Sequence, residues 1–569
     1  MIRITLKVAV PAMIFFSSYI LRLLRCASVL VVTQALCTLT HAVGGQPGTL
    51  DATFAPTSPL AGTVATPIPN WSSGEARAVA LQPDGKVVVG GNCHQGTDAF
   101  CAARYLPNGS LDPSFGNGGI VVNSFPGTDP AFTYTGASGI AVQSDGKILQ
   151  TGSCDFVFVT AVVKAAKFCA IRYLANGTID VGFSSAGRLM VDVVPPPLPL
   201  PAGYLGSAPS AVIVQPDGKI VMAGTCNDAV TAKQKFCVLR LTTSGTPDAQ
   251  FGSAGDGKLV TTVFSFAYKT MRATSMALQP DGKLVIAGDC ESDLVAPTIR
   301  GFCSIRVHGG NAPGAQGGTV DTTYGSGGAA VVTVGPTSDF ATGVALQADG
   351  KVVIGGWCRR IGNALTDMCA ARLTASGMPD PSFGINGAVV LTTTTGELER
   401  ATAVAVQWDG KIVLSGSCTN DQVPQFCVKR LYDNGTRDTS FNGNGTVRTG
   451  ISAYNVATRD DGKAMTLQPD GKILVVGSCY DGSNANNPAV FCAARYDAGP
   501  FAARVCSMDI DGDGRFLATT DGLIFNRVGL GITGNAVVAG VTFAPGATRT
   551  TWPLIRDYLV TQCGMSLVP

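Results

Sequence analysis

Short apolar runs alternate with turn residues along most of the chain. The stretch Leu81–Cys93, "LQPDGKVVVGGNC", is typical, because strand-like apolar runs flank its Asp-Gly-Lys turn. Gly tolerates the positive φ that a tight turn requires, so two such runs across Asp-Gly predict a β-hairpin. The turn recurs every 60 to 72 residues, with its aspartates at Asp84, Asp145, Asp217, Asp281, Asp349, Asp409 and Asp470. An eighth Asp-Gly-Lys, at Asp461, lacks the flanking pattern and is not counted as a repeat.

Each hairpin is followed by the pattern of a second hairpin. A Cys-Xaa-Xaa-Arg strand such as "CAARYL" comes next, then in most copies an Asn-Gly or Ser-Gly turn, an element like "LDPSFG" and a Val-rich strand. These patterns predict four strands in each unit of about 60 residues. Four-stranded units repeated around an axis are typical of a β-propeller.

The two series of motifs are out of step along the chain. The "LDPSFG"-like element also occurs seven times, at Asp51, Asp112, Asp180, Asp248, Asp321, Asp380 and Asp438. Its first copy precedes every Asp-Gly-Lys hairpin, and the last hairpin, at 464–497, has no copy after it. We therefore predict ring closure, in which residues 50–66 supply the fourth strand of the last blade and no sheet edge stays open. The predicted fold is an all-β, seven-bladed β-propeller of four-stranded blades over residues 43–497.

These units resemble the delta-60 repeats of bacterial surface and secreted proteins. The resemblance rests on the motif "ALQPDGK(I/V)-V-GG…ARY-NGSLD-SFG-GG" and covers residues 44 to about 497. It implies a secreted, propeller-like array, and it implies no activity, because none is established for the family as a whole. The cysteines described below depart from the usual form of the repeat.

Composition narrows the function classes. The chain has 569 residues, of which 70 are Gly and 14% are charged, as expected for a β protein with many turns. Its formal charge of +2 gives no overall attraction to nucleic acid or acidic membranes. Only His41, His94 and His308 occur, which argues against a histidine metal site or a histidine general base.

The N-terminus has the pattern of a secretory signal peptide. Arg22 and Arg25 precede an apolar run, and "THA" follows it, which predicts cleavage after Ala42. The long charged region leaves a start at Met13 or an uncleaved anchor as alternatives. We predict a signal peptide at 1–42, a secreted, periplasmic or outer-surface location, and no membrane span in the mature chain.

Each repeat carries two cysteines, one ending its second strand and one beginning its third. Opposed residues of antiparallel strands are close enough for a disulfide after small adjustment. We predict disulfides at Cys93–Cys101, Cys154–Cys169, Cys226–Cys237, Cys290–Cys303, Cys358–Cys369, Cys418–Cys427 and Cys479–Cys492. After the repeats, Cys506 and Cys563 are predicted to pair with each other. Zinc is the weaker alternative, because two thiolates in each loop leave a tetrahedral site half filled.

Strand order places the constant and variable loops on opposite faces of the ring. The Asp-Gly-Lys turns share one face, called here the turn face. The disulfide-stapled loops and the long connections share the other, called here the stapled face. Binding is usually placed on variable loops held by a rigid scaffold, so we hypothesise that the stapled face binds the ligand and that replacing Asp155–Phe168 alters binding.

Several repeated or unusual side chains have both a functional and a structural interpretation. The turn lysines could form a basic ring, but each has an Asp beside it that cancels its charge. The seven arginines of the Cys-Xaa-Xaa-Arg strands are expected to pair with the Asp of "LDPSF". Trp357 and Trp408 break the repeat and could contact a sugar or peptide, although scattered exposure is the simpler explanation.

Residues 498–569 follow the last repeat and are predicted to form a small, mainly α-helical module. The run "DIDGDG" places Asp509, Asp511 and Asp513 as in an EF-hand-type calcium loop, with the carbonyl of Arg515 as a further ligand. The next acid, Asp521, falls one position late. The segment resembles a single dockerin-like loop, whereas a dockerin has two, so cohesin binding does not follow. A bare acidic turn is the alternative to a calcium site.

Taken together, these patterns predict a non-enzymatic binding or scaffold propeller with calcium in its C-terminal module. The alternative is a secreted glycan hydrolase or lyase with carboxylates in the central funnel. No nucleophile motif is present, and no cluster of symmetry-breaking residues is apparent in the aligned repeats. The protein or glycan partner and the oligomeric state do not follow from the sequence.

Overall fold

The structure is a computed structural model. It describes residues 46–561 except 126–134, 158–163, 196–205, 232, 262, 264–267, 293–299, 311–315, 362–364, 393–396, 421–422, 452–458, 481–488, 500–508, 513–516, 518, 530–531 and 544–546. Among these residues, no helix is both long and apolar enough to cross a membrane.

Strands make up most of the described chain, as the apolar pattern predicts. In chain order, the first fourteen are β1 Thr63–Thr66, β2 Ser73–Leu81, β3 Val87–His94, β4 Asp98–Tyr105, β5 Ile120–Asn123, β6 Thr135–Val142, β7 Ile148–Val157, β8 Lys164–Tyr173, β9 Arg188–Val191, β10 Ser207–Val214, β11 Ile220–Asn227, β12 Gln234–Leu241, β13 Lys258–Val260 and β14 Tyr268–Leu278. The next fourteen are β15 Leu284–Ser292, β16 Arg300–Val307, β17 Ala329–Val332, β18 Asp339–Leu346, β19 Val352–Arg359, β20 Thr366–Leu373, β21 Ala388–Val390, β22 Glu399–Val406, β23 Ile412–Asn420, β24 Val423–Leu431, β25 Thr446–Thr449, β26 Asp460–Leu467, β27 Ile473–Tyr480 and β28 Ala489–Tyr496.

The strands form antiparallel four-stranded sheets, one for each repeat. Four consecutive strands make up the sheets β2–β5, β6–β9, β18–β21 and β22–β25. Strands β10–β17 form two further sets of four, joined at a single residue pair, Gln234 and Thr270. The last sheet has the order β1-β28-β27-β26, so the N-terminal strand is its fourth strand.

A buried arginine organises every repeat. Its Nε lies 2.7–2.9 Å from the Asp of the "LDPSF"-like element, as predicted. Its guanidinium also stacks 4.5–4.9 Å from the aromatic ring of the same element. The seven arginines are Arg104, Arg172, Arg240, Arg306, Arg372, Arg430 and Arg495. Each therefore joins an ion pair to a cation–π contact inside the core.

The same arginines link each repeat to the next one. Arg306 Nη1, for example, donates to the carbonyl of Ala375 at 2.7 Å, one repeat further on. Arg495, in the last repeat, donates to the carbonyl of Pro107 in the first repeat, also at 2.7 Å. The contacts between consecutive repeats thus continue from the end of the array to its beginning.

Both ends of the array contribute to one turn. In the first repeat, Arg495 bonds the carbonyl of Pro107, and the adjacent Asn108 carbonyl accepts from the Ala55 amide. In the last repeat the matching carbonyls belong to Ala498, bonded by Arg430, and to Pro47, bonded by the Asn442 amide. Residues from the N-terminal segment therefore complete a turn that five of the other six repeats make from consecutive residues, the exception being the turn with Gly309 and Gly317.

The apolar core lies between neighbouring sheets. One buried cluster joins Val89 and Tyr105 of the first repeat to Phe54, Leu474 and Phe491 of the last. A separate cluster holds the C-terminal helices α1 (Asp521–Gly529) and α2 (Trp552–Thr561), with a short 3-10 helix, Gly534–Val537, between them.

Candidate functional site

The stapled face carries disulfides at the middle hairpin of all seven repeats. The pairs are Cys93–Cys101, Cys154–Cys169, Cys226–Cys237, Cys290–Cys303, Cys358–Cys369, Cys418–Cys427 and Cys479–Cys492. Their Cα atoms are 5.4–6.0 Å apart, within the range of disulfides. The bonded cysteines are diagonal and not directly opposed, since Cys93 pairs with Ala99 and Cys101 with Gly91 in the strand register. These seven predicted bonds are therefore present in the structure.

The eighth predicted bond differs from the other seven. Cys506 and Cys563 lie outside the described residues, and their pairing stays a prediction. Several stapled loops, including 158–163, 293–299 and 481–488, also lie outside the described part of the chain.

The turn lysines are paired rather than available for an anionic ligand. Each lies near the Asp of its own turn, at 3.3 Å for Lys86 and Asp84. Six of them also reach the buried "LDPSF" Asp, as Lys472 reaches Asp51 at 2.8 Å. Burial would raise the pKa of Asp51, but hydrogen bonds from Lys472 and Thr53 and the charge of Arg495 outweigh it and lower this pKa to about 2. The structural interpretation of the lysines therefore applies.

The first strand of each repeat contains a β-bulge that points into a shared cavity. The seven bulged residues are Arg77, Ser138, Ser210, Thr274, Thr342, Thr402 and Lys463. All seven of these strands line one polar cavity of about 400 Å³. Bulges commonly re-aim side chains next to functional sites. This cavity, called here the axial cavity, is the candidate site.

Five of the bulged residues are hydroxyls that bond to backbone carbonyls. Ser138 Oγ donates to the Pro209 carbonyl at 2.6 Å, and Thr402 Oγ1 donates to the Gly462 carbonyl at 3.0 Å. Ser210 and Thr342 make the same bond to the next repeat, whereas Thr274 bonds a carbonyl of its own repeat. These bonds tie neighbouring first strands together around the cavity.

Two cations, Arg77 and Lys463, interrupt this belt of hydroxyls. They occupy the bulge positions of the first and last repeats, which pack against each other. Arg77 Nη2 lies 2.5 Å from Glu75 Oε2, while its Nε is buried and has no hydrogen-bond partner among the described residues. Lys463 Nζ has only Asp461, at 3.8 Å, as an ion-pair partner in the described part of the chain. Burial lowers the pKa of Lys463 against the opposing charge of Asp461.

Two arginines and two aromatic rings form a cation–π stack near the bulges of the fifth and sixth repeats. Phe340 stands two positions before the fifth bulge, and Arg400 stands two positions before the sixth. Phe340 and Trp357 are cross-strand partners whose rings stack with centroids 3.8 Å apart. The guanidinium of Arg300 lies 4.6 Å from the Phe340 ring, and that of Arg400 lies 4.9 Å from the Trp357 ring. Glu75 and Asp461 occupy the same strand position in the first and last repeats as Phe340 and Arg400 do in the fifth and sixth. This position lies nearer the stapled face than the bulge, so the stack borders Glu75, Asp461 and the two cations on that side. Trp408, in contrast, is 43% exposed on the turn face.

The C-terminal module brings together three of the predicted calcium ligands. Carboxylate oxygens of Asp509, Asp511 and Asp521 lie within 4.8 Å of one another. Oxygens that ligate calcium at 2.3–2.6 Å from the ion can have such spacings. Asp521 also closes the loop, since its carboxylate accepts the amides of Ile510, Asp511 and Leu517. The other predicted ligands, Asp513 and Arg515, lie outside the described residues.

Sequence reasoning missed the charged residues Glu75, Arg77, Asp461 and Lys463, called here the axial cluster. The eighth Asp-Gly-Lys, not counted as a repeat, lies inside β26, where Lys463 lines the cavity and Asp461 lies two positions before it. The signal was present in the aligned repeats, where the residue five positions before the Gln of each hairpin is Ser or Thr in five copies and basic in two.

Comparison with known proteins supports a propeller-like repeat. A model described as "Domain of unknown function (DUF5122) beta-propeller" matches five of the seven repeats, at 82–115, 215–251, 347–383, 407–441 and 468–497. These matches support assignment of the repeats to that family. No curated protein matches the chain.

Solved structures show only distant similarity. A protein of unknown function from Dyadobacter fermentans is 10% identical with a TM-score of 0.36, and the match covers 77% of this chain and 100% of that one. Extracellular domains 1-2 of Drosophila Semaphorin 1a are 10% identical with a TM-score of 0.40, and the match covers 77% of this chain and 88% of that one. The polysaccharide lyase Uly1 is 9% identical with a TM-score of 0.41, and the match covers 74% of this chain and 90% of that one. These TM-scores are too low to carry an argument about function.

Proposed function

We propose that this chain, whose repeats match a β-propeller family, is a closed seven-bladed propeller that acts outside the cytoplasm as a non-enzymatic binding protein. The N-terminal strand in the last sheet and the Arg495–Pro107 bond support closure. Seven disulfides are consistent with an extracellular location, because such bonds persist in oxidising compartments. The ligand approaches the axial cavity from the stapled face.

One observation carries the binding proposal. Five repeats use their bulge position for a hydroxyl that ties strands together, whereas the first and last repeats place Arg77 and Lys463 there. Two cations with incomplete pairing are unfavourable for folding when half-buried, because they lose hydration. Such groups are typical of a site that a ligand completes.

A matched pair of tryptophan variants tests which face binds. The full chain is applied to glycan and protein arrays together with Trp357→Ala and Trp408→Ala. We expect Trp357→Ala to weaken the bound signal about tenfold or more, because the indole holds Arg400 beside the cavity. Trp408→Ala is expected to bind like the wild type. Loss on Trp408→Ala alone, or no bound probe on either array, would contradict the proposal.

A glycan-active enzyme is the second candidate. The observation that favours it is the placement of two carboxylates, Glu75 and Asp461, at the same position of two first strands that border the cavity. Glycosidases use such carboxylate pairs. Here, however, Glu75 is paired with Arg77, and Asp461 with Arg459 at 3.1 Å, so both carboxylates are already engaged by neighbouring cations. Release of new reducing or unsaturated ends from an array ligand would favour this candidate.

The C-terminal module is proposed to bind calcium through a dockerin-like loop. Asp509 and Asp511 offer carboxylate ligands, and Asp521 holds the loop closed through three backbone amides. Calcium prefers carboxylate oxygens as ligands. A bound calcium ion would offset the repulsion between these carboxylates.

Calcium is expected to stabilise the C-terminal module of the full chain. At about 100 times its dissociation constant, calcium should add about 2.7 kcal/mol to the stability of the module that contains the loop. Calorimetry with calcium measures binding, and Asp509→Asn should abolish the heat. Asp256→Asn, in a loop within the repeats, is the charge-matched control and should leave it unchanged. No heat with the wild type and no response to a chelator would contradict a calcium site.

A further inference from the structure

We propose that the axial cavity binds a small hydroxylated carboxylate, the chemistry of a sugar acid, with its carboxylate held between Arg77 and Lys463. This inference rests on the proposed binding function and names the class of ligand at that site.

Donors for an anion are present and incompletely used. Arg77 forms one ion pair through Nη2, which leaves its buried Nε–H without an acceptor among the described residues. The Lys463 ammonium has no hydrogen bond in the described part of the chain, and Asp461 lies at 3.8 Å, beyond hydrogen-bond distance. A carboxylate accepts several hydrogen bonds and matches guanidinium and ammonium donors. The Arg77 and Lys463 side chains are 37% and 28% exposed, so one bound carboxylate can pair with both cations.

The charge of the cluster favours an anion of low charge. Arg77, Arg459 and Lys463 contribute three positive charges, Arg400 beside the cavity adds a fourth, and Glu75 and Asp461 contribute two negative ones, which leaves two positive charges. A single carboxylate lowers this excess. A phosphate dianion would bring a second negative charge close to the two carboxylates, at an electrostatic cost in a partly buried site. The two acids therefore select for low ligand charge.

The hydroxyl belt favours a ligand that donates hydrogen bonds. Ser138, Ser210, Thr274, Thr342 and Thr402 each direct their only side-chain proton to a carbonyl. Their oxygens therefore present acceptor lone pairs, and a ligand rich in hydroxyl groups supplies the matching donors. The volume of about 400 Å³ suits a small molecule of monosaccharide or disaccharide size.

Calorimetry on the full chain with four probes tests this ligand chemistry. The probes are glucuronate, glucose, acetate and inorganic phosphate, which separate charge from hydroxyl recognition. We expect glucuronate to bind more tightly than any of the other three. Lys463→Met and Arg77→Met should each weaken glucuronate binding about 10- to 100-fold, as expected when a charged hydrogen-bond partner is removed. Lys147→Met, on the turn face, removes the same charge and should change binding less than twofold.

Chemical modification gives a second readout that does not depend on heats. Under limiting acylating reagent, glucuronate should protect Lys463 from modification, as measured by peptide mass spectrometry, while Lys147 is modified at an unchanged rate. Equal binding of glucose and glucuronate, tighter binding of phosphate, or unprotected Lys463 would overturn the inference. If an array ligand binds through Trp357 while glucuronate does not, the inference alone fails. If no ligand depends on the stapled face, the proposed function fails as well.

Discussion

Deletion of residues 46–66 is expected to unfold the repeat array or to leave it barely stable. The deletion removes β1, the edge partner of β28, and the Phe54 side chain, which is 1% exposed. It also leaves the buried Arg495 without Asp51. Losing the phenylalanine costs about 2–3 kcal/mol, and orphaning a buried charge costs about 3–5 kcal/mol. Their sum approaches the total stability of about 5–15 kcal/mol that is typical of a domain.

Moving the segment instead of deleting it provides the matched control. Asp497, Ala498, Pro47 and Gly48 are arranged as consecutive residues of the closing turn, since the Gly48 amide donates to the Asp497 carbonyl at 2.7 Å. A variant that carries residues 47–66 directly after Ala498 should therefore recover the wild-type melting temperature. Chemical denaturation compares the three chains. Wild-type stability of the deletion variant would show that the segment does not complete the last sheet.

Reduction of the disulfides is expected to have an effect of similar size. In the loop-entropy account, a staple across 8 residues, as at Cys93–Cys101, contributes about 2.5 kcal/mol, and one across 15 residues, as at Cys154–Cys169, about 3 kcal/mol. Seven such bonds together exceed the typical stability of a domain. The reduced chain should thus be unfolded at 25 °C, as circular dichroism and the fluorescence of its tryptophans would show.

Single staples should rank by the length of the loop that they close. Replacing Cys154 and Cys169 by Ser should destabilise the chain by about 0.5 kcal/mol more than replacing Cys93 and Cys101, measured by chemical denaturation. A reduced chain that melts at the same temperature as the oxidised one would show instead that sheet packing alone holds the repeats.

The repeat pattern was sufficient to predict the four strands of each unit, the staples and the arginine–aspartate pairs. In six of the seven repeats each of these depends on residues within one repeat, so local spacing reveals them, whereas the last repeat takes β1 and Asp51 from the N-terminal segment. The bonds from Arg306 to Ala375 and from Arg495 to Pro107 are different, because they depend on how neighbouring repeats pack. No spacing within one repeat contains that information.

The axial cluster could not be derived from local motifs for a similar reason. Asp461-Gly462-Lys463 has the letters of a hairpin turn, yet it lies in a strand. A Cβ on Gly462 would come 2.5 Å from the Gly416 carbonyl, so the glycine permits close packing of adjacent repeats instead of a turn. The Phe340–Trp357 stack likewise requires knowledge of the strand register.

Zero-length cross-linking tests the closed ring, on which the axial cavity depends, most directly. A carbodiimide joins carboxylates to amines only when they are in contact, and Lys472 lies 2.8 Å from Asp51 at the other end of the array. The equivalent pair within one repeat, Lys86 and Asp112 at 3.3 Å, is the internal standard. We expect both cross-links in the monomer fraction, with comparable yield. Formation of the Lys86–Asp112 link without the Lys472–Asp51 link, or of the latter only in dimers, would contradict closure of the ring by its own N-terminal strand.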